Sequence, residues 1–169
     1  MNAAHLHLVV NHVPILVSIL SVLVLAWGMY RSNKSFQQLA LIGFVVAGLF
    51  SFIAVQSGGD AEEIVEDLGG VSHNMIHEHE EAAETVNWIA VLLGVASLAA
   101  LQISRSKSGI NKKFLAVLLV VGTVSSGMFV YAGYLGGEIR HTEIRSNSAN
   151  DSVQQPATAD ESPEESGES

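Results

Sequence analysis

The sequence predicts an all-α integral membrane protein, a four-helix bundle with a short amphipathic outer helix and a disordered acidic C-terminal tail. Three observations carry that expectation. The chain of 169 residues is 49% hydrophobic and only 15% charged, whereas soluble domains run nearer a quarter charged. Four apolar runs, roughly residues 13–30, 39–55, 86–103 and 114–135, each approach the ~20 residues that cross ~30 Å of hydrocarbon. The acids behind a net charge of −9 gather between the second and third runs and in the C-terminal stretch, away from the apolar segments.

Composition also excludes functions. There is no cysteine, which removes disulfides, thiolate metal sites, iron–sulfur clusters and covalently attached c-type haem. The eight Lys and Arg residues form no basic patch, so nucleic acid is not an expected partner. The lipid bilayer is.

The bundle domain is expected over residues 1–145. Helix one, 12–31, begins where Pro14 falls in a first helical turn, the place where a missing N–H costs nothing. Ahead of it, His5 and His7 alternate with apolar residues in a short arm and read as solvated interfacial histidines. The run lacks a basic n-region and a small-residue cleavage pattern, so it reads as a retained helix and not as a signal peptide. Helix two, 36–57, starts after Ser35 and stops at Gly58-Gly59. A surface helix, 60–68, follows, with Asp60 and Glu63 in capping-box spacing. Its apolar stripe (Ala61, Ile64, Val65, Leu68) opposes an acidic face, so it is expected to roof the outer end of the bundle.

Helix three, 72–104, is capped by Ser72, with Val71 and Ile76 spaced as a hydrophobic staple. At 100° per residue, His79, Ala83, Val86, Ala90, Gly94 and Ser97 share one narrow face. His73, His77, Glu80, Glu81, Glu84 and Trp88 lie opposite. Small residues at that spacing mark a packing seam, so His79 is expected to point into the bundle and His73 and His77 towards water. Helix four, 112–140, carries Gly122, Ser126, Gly133 and Gly137 along one side, and His141 extends that side. Residues 146–169 are polar and acidic and are expected to be disordered.

Basic residues set orientation. Arg31, Lys34, Arg105, Lys107, Lys112 and Lys113 fall in two links on one side, leaving only Arg140 and Arg145 on the other. The protein is therefore expected in the cytoplasmic membrane, multi-pass, with both termini on the outer, periplasmic side. All seven histidines then lie on that side.

His12, His79 and His141 sit at similar depth on three different helices. Imidazole is a common metal ligand and an axial ligand of haem. The three are the candidate site for haem b, or for a Cu, Zn or Fe ion, with Asn11, Glu80, Glu138 and Glu143 placed to orient them. HEHEE is not a zincin motif, because its histidines are two apart and face different sides. The competing expectation is a structural or assembly subunit in which the histidines form a hydrogen-bonded cap with no cofactor. An enzyme role would be as a quinol- or haem-linked membrane oxidoreductase component, although no substrate pocket is recognisable. A redox partner or other membrane subunits would complete the electron-transfer reading.

Three local patterns carry a resemblance: NHVPI (Asn11–Ile15), VEDLGGVS with HEEAAE (Val65–Ser72 and His79–Glu84), and GGEIRHTEI (Gly136–Ile144). With them the chain resembles a family of uncharacterised bacterial four-helix membrane proteins, a domain of unknown function. The likeness spans about residues 6–145. Gly69 stands where the family's central pattern has proline. The resemblance implies no activity, but it implies that His12, His79 and His141 are the motif histidines and that His5, His7, His73 and His77 are not.

Overall fold

The computed structural model describes residues 3–66, 73–105 and 110–140. They form a short helix α1 (Ala3–Val10) and four long ones: α2 (His12–Tyr30), α3 (Lys34–Glu66), α4 (His73–Ser104) and α5 (Lys112–Arg140). Each long helix packs on its neighbours in sequence, and α5 closes on α2, while α1 lies mainly against α3. This is the expected all-α four-helix bundle. The expected tail, the Ser72 cap and Val71 of the staple fall outside the described residues.

Helical spans of 24, 26, 32 and 28 residues, each with an apolar window long enough to cross a membrane, run through the four long helices. Their outward faces agree with that. Leu16, Leu20, Leu23, Leu92, Val95 and Val120 are each more than 60% exposed, outward apolar faces of the kind that suit lipid better than water. Trp27 and Tyr30 at one end, and Tyr131 and Tyr134 at the other, are also exposed, as in the aromatic belts of membrane helices.

Inside, one rule recurs on every long helix: buried positions alternate three and four apart. On α2 they are Pro14, Ser18, Ser21, Leu25 and Gly28. On α3 they are Ala40, Phe44, Ala47, Ser51 and Ala54. On α4 the series is Ile76, His79, Ala83, Val86, Ala90, Leu93, Ser97 and Ala100, and on α5 Leu115, Leu118, Gly122, Ser125, Phe129, Ala132 and Gly136, with only His79, Ala83 and Gly136 half-buried. A 3.5-residue repeat keeps a seam facing its partners along long helices. Close approach at the α3–α4 seam depends on small residues. A Cβ on Gly48 would stand 2.7 Å from the Ala90 carbonyl oxygen, so no larger residue fits without moving a backbone.

The core has two apolar parts. One contains Leu25, Ala40, Leu41, Phe44, Leu93, Ala100, Leu115 and Leu118, near the links that carry the basic residues. The other is smaller, Val86, Ala90, Phe129 and Ala132, with Ile15, Ala82 and Met128 against it. Polar pairs lie between helices around the middle. Ser126 Oγ donates to Ser18 Oγ at 3.2 Å, and Ser51 Oγ donates to Asn87 Oδ1 at 3.0 Å.

Four local readings are corrected. Helix two starts at Lys34 and not after Ser35, because Asn33 Oδ1 accepts from the backbone N–H groups of Ser35 and Phe36 at 2.9 and 3.3 Å and caps it. The same helix passes through Gly58-Gly59 to Glu66, so residues 60–66 are its last turns and not a separate surface helix. Glycine only weakens a helix; stopping one requires the left-handed conformation, which neither glycine adopts. The N-terminal arm is helical, and Asn11, with φ −65° and ψ −26°, carries right-handed backbone from α1 into α2. Pro14 falls in the first turn of α2, as expected, although α1 leads almost directly into that helix. On α5, Gly133 is exposed and the seam runs through Ala132 and Gly136, because the four-residue steps in the series Gly122, Ser126, Gly133 and Gly137 run ahead of a 3.5-residue repeat.

Candidate histidine site

The expected face of α4 is the observed one. Val86, Ala90, Gly94 and Ser97 are buried, His79 and Ala83 half-buried, and His73, His77, Glu81, Glu84 and Trp88 exposed. Glu80, expected on the water side, is half-buried. His79 thus enters the seam, where its Nδ1 lies 2.9 Å from the Ala132 carbonyl oxygen of α5. A carbonyl can only accept, so Nδ1 carries a proton, and in the neutral ring Nε2 is the nitrogen with the lone pair. The ring rests edge-on against Gly136, where a Cβ would stand 3.0 Å from His79 Cε1.

A second histidine, treated as solvated from sequence, is built in the same way. His7 is half-buried, with Nδ1 3.0 Å from the Ala54 carbonyl oxygen and 3.3 Å from Ser57 Oγ. Its Nδ1–H donates across to α3. The ring lies against Gly58, with 3.5 Å from His7 Cε1 to the place of a glycine Cβ. His7 was legible only as a member of the series His7, Pro14, Ser21, Gly28, spaced by seven. Starting the first helix at residue 12, with His7 in an arm ahead of it, hid that series.

The other expected residues are distributed as follows. His12 is exposed, and its Nδ1–H turns back to the Leu8 carbonyl oxygen of its own helical path at 3.2 Å. Asn11 is half-buried, and its Oδ1 is buried with no donor among the described residues. Glu138 accepts a hydrogen bond from Tyr134 Oη at 2.8 Å, on the outer side of α5. His141 follows α5 directly in the chain but, with Glu143, lies outside the described residues. Among the described residues no three His, Cys, Asp or Glu side chains gather as a site for a metal ion. An open groove of about 260 Å³ lies between α4 and α5, lined by Glu78, Glu81, Ala82, Thr85, Met128 and Tyr131; neither seam histidine is part of its wall.

The arrangement offers two imidazoles, each with its Nδ1 committed to a backbone carbonyl of a neighbouring helix. That is how histidine ligands are held, with one ring nitrogen donating to a carbonyl so that the other presents its lone pair. Set against family models, curated proteins and solved structures, the chain matches none.

Proposed function

We propose that this membrane protein binds haem b at its histidine end and uses it for electron transfer, with His79 as a ligand of the iron. The observation that carries this reading is the His79 ring. It is drawn into the seam of a four-helix bundle, its Nδ1–H is committed to the Ala132 carbonyl oxygen, and the residue beside it is the one that leaves most room, Gly136. An ionisable side chain facing the interior of a membrane bundle is costly unless it is used. The buried Asn11 Oδ1, which lacks a donor among the described residues, adds a polar acceptor at the same end. The bias of Lys and Arg supports an orientation with this end on the outer, periplasmic face of the cytoplasmic membrane, where a redox partner would dock. His12 and His141 belong to the same proposal as further candidate ligands, and a bare Cu, Zn or Fe ion is its second form.

The test is the absorption spectrum of protein purified from haem-replete cells, with elemental analysis of the same sample. A Soret band that is present in the native protein and lost in His79→Ala supports the reading, and His77→Ala should leave it intact. No Soret band, even after titration with haemin, together with no bound metal, sinks it and leaves the histidines as helix-tying groups of a structural subunit.

A further inference from the structure

Charge divides this chain by end. Every Asp and Glu falls within residues 60–84 or 138–168. Among the described residues the carboxylates therefore lie at one end of the bundle, on the last turns of α3 and α5 and the first turns of α4. The two links at the opposite end carry Arg31, Lys34, Arg105, Lys107, Lys112 and Lys113, and residues 1–59 and 85–137 contain no acid. A chain of net charge −9 thus gathers six cations where its own helices supply no counter-charge.

A pocket of about 200 Å³ opens among these links, with Ser32, Lys34, Gln37, Gln38, Ser104 and Lys112 in its wall. Four segments build it: the α2–α3 turn, the first turns of α3, the last residue of α4 and the first of α5. Hydrogen bonds hold its polar side in place. Gln38 Nε2 donates to Ser104 Oγ at 3.0 Å and ties α3 to α4, while Gln37 Nε2 donates to the Gly28 carbonyl oxygen at 3.1 Å and ties α3 to α2. An amide nitrogen carries two N–H groups, so each glutamine has one beyond these bonds. Lys34 and Lys112 are both exposed, with their ammonium groups free to turn over the opening. The positive ends of the α3 and α5 dipoles add to the same field. The first amides of those helices are already taken by Asn33 and Asn111, whose Oδ1 atoms accept from residues 35, 36 and 113, so side chains would make the contacts. Depth is set by the neighbours: Gln37 is bonded to Gly28 beside Trp27, and Trp27 and Tyr30 are exposed, which is the level of lipid headgroups.

We propose that this pocket binds a phosphate group, carried by an anionic phospholipid or free in solution, between the ammonium groups of Lys34 and Lys112. Lysine binds phosphate as a point charge, and the hydroxyl and amide donors of the wall supply the further hydrogen bonds that phosphate oxygens accept. Basic pockets between membrane helices are where lipid headgroups bind. Setting the orientation of the chain would account for lysines anywhere in the two links. It does not account for one lysine from each link on the wall of one polar pocket. Arg31 shows the contrast: its guanidinium lies over the Trp27 ring, 5.8 Å from the centroid, and is not part of the wall. The site sits beside the main core, to which Leu115 of its wall belongs. It stands at the other end of the bundle from His79, and neither reading depends on the other.

The experiment compares full-length native protein with two double variants of equal charge loss. One is Lys34→Gln with Lys112→Gln. The control is Arg31→Gln with Lys113→Gln, two exposed residues outside the wall. Native mass spectrometry counts the phosphatidylglycerol that stays bound after release from nanodiscs of phosphatidylcholine and phosphatidylglycerol. Calorimetry in dodecyl maltoside titrates inorganic phosphate into the same proteins. The native protein should hold one probe or both; the pocket pair should weaken binding about tenfold or more, and the control pair less than about twofold. Retained phosphatidylglycerol without phosphate binding assigns the pocket to a lipid headgroup, and phosphate binding without retained lipid assigns it to free phosphate. A native protein that holds neither probe overturns the proposal. Equal losses in the two pairs also overturn it, because they show attraction to a charged end and not to a pocket. If the pocket pair does not fold, the single variants Lys34→Gln and Lys112→Gln, each set against Lys113→Gln, decide by the same outcomes.

Discussion

At the end of the bundle that carries the basic links, the seam positions are occupied by Leu25, Phe44, Leu93, Leu115 and Leu118, all within 4% of full burial. At the opposite end the same positions carry His7, Gly58, His79 and Gly136, all half-buried. One repeat thus supports two kinds of interior. The basic end follows the rule for holding helices together, large side chains packed without polar atoms. The histidine end sets ring against glycine and fixes two imidazoles by hydrogen bonds between helices. The difference teaches that stability and imidazole chemistry are separated along the bundle axis, so substitutions at the two ends should fail differently.

The largest effect is expected from Phe44→Ala. Phe44 is the largest of the fully buried side chains and joins the main core; its removal should cost about 3 kcal/mol. His79→Ala, measured without haemin, should cost only about 1 kcal/mol, the worth of one hydrogen bond, because the Ala132 carbonyl lies in the interior of α5 and keeps its helical partner. Reversible unfolding in mixed micelles measures both. Equal losses would break the comparison, since His79 would then be a structural keystone.

Next comes Gly48→Val. A side chain there meets the Ala90 carbonyl oxygen, and the α3–α4 crossing lies between the two ends. Overpacking should cost about 2 kcal/mol and, by spreading the helices, should also disturb the histidine end. Loss of stability with unchanged haemin binding would show that the ends are insulated from the crossing.

Ser32→Gly should act in the other direction and at the basic end only. Ser32 has φ 49°, and around it Ser32 N–H donates to the Met29 carbonyl and Asn33 N–H to the Gly28 carbonyl at 3.2 and 2.8 Å. That is the paired bonding of a Schellman stop, in which glycine is the favoured left-handed residue. Glycine should raise stability by up to ~1 kcal/mol and leave the histidine end untouched. A change in haemin binding would contradict the separation.

How much of this was legible in the chain follows the physics of each signal. Four membrane-length helices were, because apolar length is read directly. The inward face of α4 was also legible, since Ala83, Val86, Ala90, Gly94 and Ser97 are small and close in sequence, and His79 continues their line. The turn between α2 and α3 was misread by two residues, because Ser35 and Asn33 are both acceptable caps and only the geometry chooses. His7 was legible only through its seven-residue spacing from Pro14, Ser21 and Gly28, because Pro14 marks the start of α2 and gives no sign that a further helix, α1, precedes it with right-handed backbone at Asn11. Gly136 was hidden by its neighbours Gly133 and Gly137, which compete for the same face until the 3.5-residue repeat is fixed by packing.

The smallest prediction concerns the layer between the two ends. Ser51 Oγ donates to Asn87 Oδ1, and both residues are buried. In hydrocarbon such a pair has an apparent advantage over water, but side chains in membrane helices find other partners when one is removed, and measured worth is about 0.6 kcal/mol. A double-mutant cycle of Ser51→Ala and Asn87→Ala should return a coupling of about that size. Coupling several times larger would make the polar middle a lock that aligns α3 with α4. It would then set how the two helices meet at the histidine end, and the seat of His7 on Gly58 would depend on a serine two helical turns away.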